Sequence, residues 1–392
     1  MLPVIKVKSE GKLRLRQGHR WVFSNELWSD RGIAPGSQVE IRDGADLRLG
    51  WGYYNPRSLI ALRRLDDQVP ADPGVWLRGR MMEARQRREA FYPGVRDLRW
   101  IYSESDGLPG LVVDQYGDYL VVQINTAGME RMMPELIPAL ADVFQPRGIA
   151  ARSDQTSREL EGLSGGETQL WGEPLPDSIM ICENGLAFAV NPLQGQKTGF
   201  YYDQKDNRMA LRGIIRPGME VLDLFSYSGA WGLNAMAAGA GRITLVDRSP
   251  EVRSLIETAV RLNFPDHPWE FIQADVVEQM KRFREEGRRF DCVILDPPAF
   301  IKNRKLFQEG KKGYHQINQL GLRLVKPGGI LVSCSCSHHL SPEDLAGIVR
   351  SGAGHDQRRV YHLFSGHQAL DHPVLVTHPE TAYLKCLFYQ AL

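Results

Sequence analysis

In the C-terminal half of the chain, short apolar runs recur at 220–225 (EVLDLF), 242–247 (RITLVD), 291–296 (DCVILD) and 329–334 (GILVSC), with helical patterns between them. Strands buried on both faces read as continuous apolar runs, and parallel strands need a crossover between them, usually a helix. The pattern therefore constrains this half to an α/β fold, a doubly wound, mostly parallel sheet of Rossmann-like type. Ligands of such sheets sit beyond the carboxyl ends of the strands. The residues that follow each run are where chemistry is expected.

The N-terminal part reads differently. Strand-like segments at 4–7, 38–42 and 48–54, punctuated by Gly and Pro, predict a small β-rich module, and Lys6, Lys8, Lys12, Arg14, Arg16 and Arg20 give it a basic face. A solvated face with no ligand is the bland alternative. Beyond residue 70 come an amphipathic helix at 79–91, a turn at 104–110, a hairpin at 111–124 and a helix at 129–144. A second hairpin follows at 179–190, turning at Asn184-Gly185. These predict an α+β middle domain, so the expected division is 1–70, 71–190 and 191–392.

With 48 Lys+Arg against 47 Asp+Glu among 392 residues, the formal charge of +1 marks neither a polyanion binder nor an acidic tail. Any nucleic-acid surface must be local. Five cysteines, an odd number in a long chain, do not make a disulfide framework. The basic start lacks a following signal-peptide core, and no stretch reaches the roughly 18 apolar residues of a membrane span. A cytoplasmic protein without membrane attachment is expected.

The first strand of the parallel sheet runs into Asp223-Leu224-Phe225-Ser226-Tyr227-Ser228-Gly229, and a helix of small residues follows. Such a turn lets a ligand approach backbone amides at a helix start. The Gly-x-Gly-x-x-Gly spacing of dinucleotide sites is absent. An acid at Asp223 suits a cofactor with a cationic centre and an amino acid moiety better than a pyrophosphate. Asp247, with Arg248 beside it, ends the second strand where a carboxylate typically accepts from ribose hydroxyls. Asp275 follows the third and is placed to hold an adenine amine. Each acid alone also reads as a helix cap or turn residue. Together, at three successive strand ends, they point to S-adenosylmethionine.

Asp296-Pro297-Pro298-Ala299-Phe300 ends the next strand; the prolines stop the ladder and fix the loop, so Asp296 can face the cleft and Phe300 can offer a ring to a flipped base. The following strand ends in Cys334-Ser335-Cys336-Ser337-His338-His339. Carbon 5 of cytosine is a poor nucleophile, and methylating it calls for a thiolate adding at carbon 6. Cys336 is placed for that role. A buried structural cysteine is the competing reading, stronger for Cys334. A zinc site on these Cys and His residues fits no common spacing, and no metal is expected.

With these residues in view, the chain resembles the RlmI-type ribosomal RNA large subunit methyltransferases over almost its whole length. The resemblance is carried by 18–23 (GHRWVF), 105–111 (SDGLPGL), 196–208 (QKTGFYYDQKDNR), Asp296-Pro297-Pro298, Ser335-Cys336-Ser337 and Asp371-His372-Pro373. It implies an N-terminal PUA-like RNA-binding domain, an α+β middle domain and a class I methyltransferase domain that makes 5-methylcytosine in 23S rRNA. It also implies Cys336 as nucleophile, Asp296 as the acid contacting the base, and Asp223, Phe225, Ser226, Gly229, Asp247, Arg248 and Asp275 at the cofactor. Gln196, Lys197, Thr198, Tyr202 and Asp203 fall in the segment that covers it. Where the family often has Lys after the double proline, this chain has Ala299, with Lys302 nearby.

The expected partner is 23S rRNA or a large-subunit precursor, with pairing of two chains left open. Guanine-nitrogen methylation, and an RNA-binding assembly factor without turnover, remain the alternatives.

Overall fold

Every apolar run read as a strand in the C-terminal half forms one in the computed structural model, which describes residues 2–28, 32–152, 155–165, 167–193 and 199–392. The chain divides into two compact units.

One unit comprises Met1–Ile179, Asn191–Phe200 and Leu370–Thr381. Its first sheet has the order β1-β3-β4-β5-β2, built from β1 (Val4–Val7), β2 (Trp21–Val22), β3 (Ser37–Asp43), β4 (Arg48–Tyr54) and β5 (Leu62–Asp66). Only β1 and β3 pair in parallel. The chain between them, carrying α1 (Ser9–Arg16), supplies the crossover that a parallel pair requires. Ile5, Val22, Val39, Ile41 and Leu62 fill the interior. Much of the basic face is already engaged by the unit's own acids: Lys6 pairs with Asp46, Lys12 with Asp43 and Arg14 with Glu26.

The second sheet of this unit has the order β10-β9-β8-β7-β6. It comprises β6 (Arg99–Tyr102), β7 (Leu111–Tyr116), β8 (Tyr119–Ile124), β9 (Gly148–Arg152) and β10 (Glu167–Gly172). Four helices accompany it: α2 (Pro73–Phe91), α3 (Ala127–Arg131), α4 (Met133–Phe144) and α5 (Gln155–Leu160). α2 starts six residues before the 79–91 read from the sequence, because Asp72 caps the amides of Gly74 and Val75 and Pro73 occupies the first turn. Leu77 and Met81 of α2 and Leu136 and Leu140 of α4 share a core with Val113, Leu120 and Val122 of the sheet. The Asp106-Gly107-Leu108-Pro109-Gly110 turn is held by a buried clamp. Arg88 donates to both oxygens of Asp106 (2.6 and 2.7 Å) and to the Asp371 carbonyl (2.8 Å).

The other unit comprises Met180–Val190, Tyr201–Ala369 and Ala382–Leu392. The hairpin β11 (Ile179–Glu183) and β12 (Leu186–Val190) turns on Asn184 (φ 54°) and Gly185 (φ 75°), the left-handed pair that two-residue hairpin turns favour. The Asn263 side chain ties this hairpin to the unit, accepting from the Ala187 amide (2.9 Å) and donating to its carbonyl (2.8 Å).

The main sheet has seven strands in the order β15-β14-β13-β16-β17-β19-β18. They are β13 (Glu220–Leu224), β14 (Arg242–Asp247), β15 (Trp269–Gln273), β16 (Phe290–Leu295), β17 (Val325–Ser335), β18 (Val360–His367) and β19 (Lys385–Ala391). β13 to β17 pair in parallel, as the continuous apolar runs require, while β19 runs antiparallel to both β17 and β18. Helices α6 (Lys205–Arg212), α7 (Ala230–Ala237), α8 (Val252–Asn263), α9 (Val276–Glu285), α10 (Phe307–Leu324) and α11 (Pro342–His355) complete the unit. Leu222, Leu224, Val293, Leu295 and Leu331 sit at its centre. No helix among the described residues is long and apolar enough to cross a membrane.

Candidate active site

β13 ends at Leu224, and the backbone then turns sharply: Phe225 (φ 61°), Tyr227 (φ 43°) and Gly229 (φ 72°) all lie in the left-handed region before α7 begins. For the two non-glycine residues this costs on the order of 1–3 kcal/mol each, a strain that clusters at ligand clamps. β14 holds the turn down. The Ser226 amide donates to the Val246 carbonyl (3.2 Å), and the Tyr227 amide donates to Asp247 Oδ2 (3.0 Å).

The Asp223 carboxyl feels the charges of Asp296 and Asp247. Asp223 accepts from the Gly232 amide (3.0 Å) through Oδ2, while its buried Oδ1 has no partner among the described residues. Burial, opposed by the Gly232 bond and aided by Asp296 and Asp247, pushes the Asp223 carboxyl well above the usual carboxylate range. The Ser226 hydroxyl is likewise buried without a partner among the described residues. Crowded carboxylates beside unsatisfied oxygens form a cradle for a ligand that carries positive charge and hydrogen-bond donors.

Asp296 follows β16. Its Oδ1 accepts from Gln204 Nε2 (3.0 Å) and its Oδ2 from Trp231 Nε1 (2.9 Å). Burial raises its pKa; the Trp231 bond and Arg208 work against that rise and Asp203 adds to it. The orienting layer continues outward, with Asn207 donating to Gln204 Oε1 (2.7 Å) and to the His367 carbonyl (2.9 Å). Arg208 grips both oxygens of Glu183 (2.7 Å each) and the Tyr201 carbonyl (2.7 Å). Asp203 accepts from the Tyr383 hydroxyl.

β17 delivers the cysteines. Cys334 is buried, its Sγ 3.2 Å from that of Cys386, whereas Cys336 is partly open to solvent. The residues flanking Cys336 are fixed from α10: Ser335 Oγ donates to the Tyr314 hydroxyl (2.9 Å), which also bonds Ser337 Oγ (2.9 Å). The Ile301 amide reaches the same Ser337 hydroxyl (3.1 Å). Tyr201 reports that the sites converge, since burial and then Tyr227, Asp203, Asp296 and Cys336 all act to raise its pKa.

Not every expected residue joins this group. Asp275 is exposed and caps α9, accepting from the Glu278 amide (3.1 Å), and Arg248 is exposed on the far side of Asp247 in sequence. Phe300 packs on Tyr314 (centroids 4.8 Å apart) and Phe225 (6.3 Å), so part of its ring is already engaged. Tyr202 is buried against the Lys205 ammonium. Gln196, Lys197 and Thr198 lie outside the described residues. Gln204, Trp231, Tyr314 and Lys385 were not singled out as site residues. The signals for three of them were a polar residue in the 196–208 segment, an indole at the start of the small-residue helix, and a lone charge beside the apolar run of β19; Tyr314 had none.

A separate group in the first unit, His19, His378 and Glu380, brings ligand-type atoms within 4.8 Å. The imidazoles stack with centroids 4.0 Å apart, and His19 Nδ1 accepts the Trp21 amide (3.1 Å). That bond puts the His19 proton on Nε2, facing Glu380 Oε2 (3.1 Å). Lone pairs on stacked rings do not converge on one ion, so the geometry is that of an aromatic stack.

A parallel sheet with a strained turn after its first strand and acids at the following strand ends defines a class I methyltransferase fold. Comparison with known proteins agrees. Residues 5–67 match the PUA-like domain family and residues 162–355 the S-adenosylmethionine-dependent methyltransferase family. Among solved structures, a putative SAM-dependent methyltransferase from Streptococcus mutans superposes with a TM-score of 0.85 at 21% identity, over 99% of this chain and 100% of that one. A putative methyltransferase solved with SAH gives 0.86 at 20% identity, over 99% and 100%. The ribosomal RNA large subunit methyltransferase I of Cronobacter sakazakii is 35% identical over 388 residues, 97% of each chain. The chain belongs to the ribosomal RNA large subunit methyltransferase I family, with S-adenosylmethionine as its cofactor.

Proposed function

We propose that this protein methylates carbon 5 of a cytosine in 23S rRNA through a covalent adduct on Cys336. The observation that carries the reading is the placement of a solvent-accessible Cys336 at the end of β17, next to the strand that ends in Asp296, while Cys334 is buried against Cys386. Amine methylation needs no thiol at that place.

Asp223, Ser226 and Asp247, with the turn to Gly229, are the residues to hold S-adenosylmethionine, which supplies an electrophilic methyl group on a sulfonium. Cys336 adds to carbon 6 of the flipped base, so a sulfur–carbon bond forms and the displaced ring electrons make carbon 5 the nucleophile that takes the methyl group. Asp296, whose proton affinity is raised by burial, holds the polar edge of the base and can give a proton to the ring nitrogen as charge builds there. A base then removes the carbon 5 proton, the electrons restore the double bond, the pair in the sulfur–carbon bond returns to Cys336, and the ring nitrogen gives its proton back to Asp296. One proton is released per methyl transferred. The PUA-like domain is the RNA dock in this reading, with the enzyme acting in the cytoplasm without a metal.

Transfer of labelled methyl to unmodified 23S rRNA, followed by digestion to nucleosides, tests the reaction. Label in 5-methylcytosine is expected. Label in a methylated guanine would replace this reading with nitrogen methylation, and no transfer despite cofactor binding would leave an assembly factor.

A further inference from the structure

We propose that Lys385 is the cation that holds the Cys336 sulfur as a thiolate. The inference rests on Cys336 being the nucleophile, and its test is arranged so that the two can fail separately.

A cysteine thiol with its ordinary pKa of about 8.5 is mostly protonated at neutral pH, and the thiolate is the attacking form. Reactive cysteines acquire their charge from a neighbouring cation, a helix N-terminus or a metal. Among the described residues, the titratable groups that feel the charge of Cys336 include Tyr201 before α6, Tyr314 on α10 and Lys385 on β19. Neither tyrosine can carry positive charge. On the same loop His338 is exposed, its ring turned to Tyr383 (5.5 Å).

Lys385 is placed by register. It pairs Cα to Cα with Ser335, the residue before Cys336, and its Nζ donates to the carbonyl of Ser337, the residue after it (2.6 Å). A second bond goes to the Tyr383 carbonyl (2.8 Å). The side chain thus embraces the peptide that carries the thiol. Lys385 is 6% exposed, and its hydrogen bonds end on neutral carbonyls with no carboxylate paired to it among the described residues. A buried ammonium without a counter-ion is costly. Burial pushes its pKa down to about 8, and among the described residues the charge that opposes this is Cys336. The coupling is reciprocal: a thiolate that keeps the proton on Lys385 is stabilised to the same extent by the ammonium. In the reaction the negative charge leaves sulfur when the bond to carbon 6 forms and returns when it breaks. Lys385 keeps its proton throughout.

The test is alkylation of Cys336 by iodoacetamide in the full-length protein, followed cysteine by cysteine by mass spectrometry from pH about 5 to 10. The reaction reads thiolate fraction and needs neither RNA nor cofactor. The wild-type midpoint is expected below the ordinary value of about 8.5, and Lys385→Met is expected to raise it by about one unit, roughly tenfold slower alkylation at pH 7. Lys385→Arg, which keeps the charge, is expected to follow wild type. Superimposable wild-type and Lys385→Met profiles would overturn the proposal. So would a wild-type midpoint at or above the ordinary value, which decides the matter even if Lys385→Met does not fold. A low, Lys385-dependent midpoint with full methylation by Cys336→Ala would overturn the nucleophile reading and leave the ion pair standing.

Discussion

Asp223 shows how a single buried side chain ties stability to binding. Its carboxyl is held well above the ordinary range by burial, then by Asp296 and Asp247, so the free protein keeps a proton there that the unfolded chain would release. A raised carboxylate pKa makes stability fall as pH rises above the unfolded value of about 3.9. Asp223→Asn is therefore expected to raise the Tm of the free protein at neutral pH while weakening S-adenosylmethionine by more than tenfold, which thermal melts and calorimetry would show together. A bound sulfonium and ammonium favour the ionised acid. Cofactor binding should therefore release protons and tighten as pH rises, and the demethylated product, lacking the sulfonium charge, should show the smaller dependence. Titrations in buffers of different ionisation enthalpy would detect the release; equal proton counts for both ligands would argue against this cradle. Asp223 and Asp247 were legible in the sequence because they end apolar runs. The orphaned Oδ1 was not, since burial of one oxygen depends on the packing of α7.

At the scale of elements, the 105–111 segment of the first unit is held by a buried ion pair. Asp106 of the 105–111 turn is gripped by Arg88 from α2, and both side chains are fully buried. Removing one partner of a buried pair costs about 3–5 kcal/mol. For Arg88→Ala the low end is expected, because Arg87 also bonds Asp106; denaturant unfolding would measure it. His378 gives the first unit an acid-sensitive spot. Burial and then His19, against Glu104 and Glu380 and with Arg20, bring its pKa down to about 4. The unfolded imidazole takes its proton near pH 6.5. Stability is thus lost as pH falls from there toward 4, and His378→Phe should flatten that part of the Tm-against-pH curve. Parallel curves for the two proteins would contradict the assignment.

β13, β14, β16 and β17 were readable because burial on both faces makes each a continuous apolar run, whereas β15, at the other edge of the sheet, buries only Phe271. β18 was not readable, since Tyr361, Leu363 and Phe364 are exposed on an edge strand and carry no clear alternation. β19 was missed with it, and Lys385 therefore went unseen.

For the molecule as a whole, composition excluded much and located little. A net charge of +1 hides an N-terminal basic cluster whose Lys6, Lys12 and Arg14 are spent on Asp46, Asp43 and Glu26. Counting charges in sequence could not separate them from cations free to meet phosphate. The parallel character of the C-terminal sheet followed from its continuous apolar runs, whereas the chemistry depends on which of two cysteines at one strand end is reachable, a matter of one residue's register. Pairing Cys334 with Cys386 across β17 and β19 buries the first thiol; Cys336, just beyond the strand, is left to the cleft.

A covalent bond from Cys336 to a cytosine can be trapped with 23S rRNA carrying 5-fluorocytidine. Fluorine at carbon 5 cannot leave as a proton, so the adduct formed after methyl transfer cannot resolve. Mass spectrometry of the denatured, digested complex is predicted to find the nucleotide on the peptide that contains Cys336. Because that peptide also holds Cys334, fragmentation must place the bond. A nucleotide on Cys334, or no adduct while ordinary rRNA is methylated at full rate, would contradict the account.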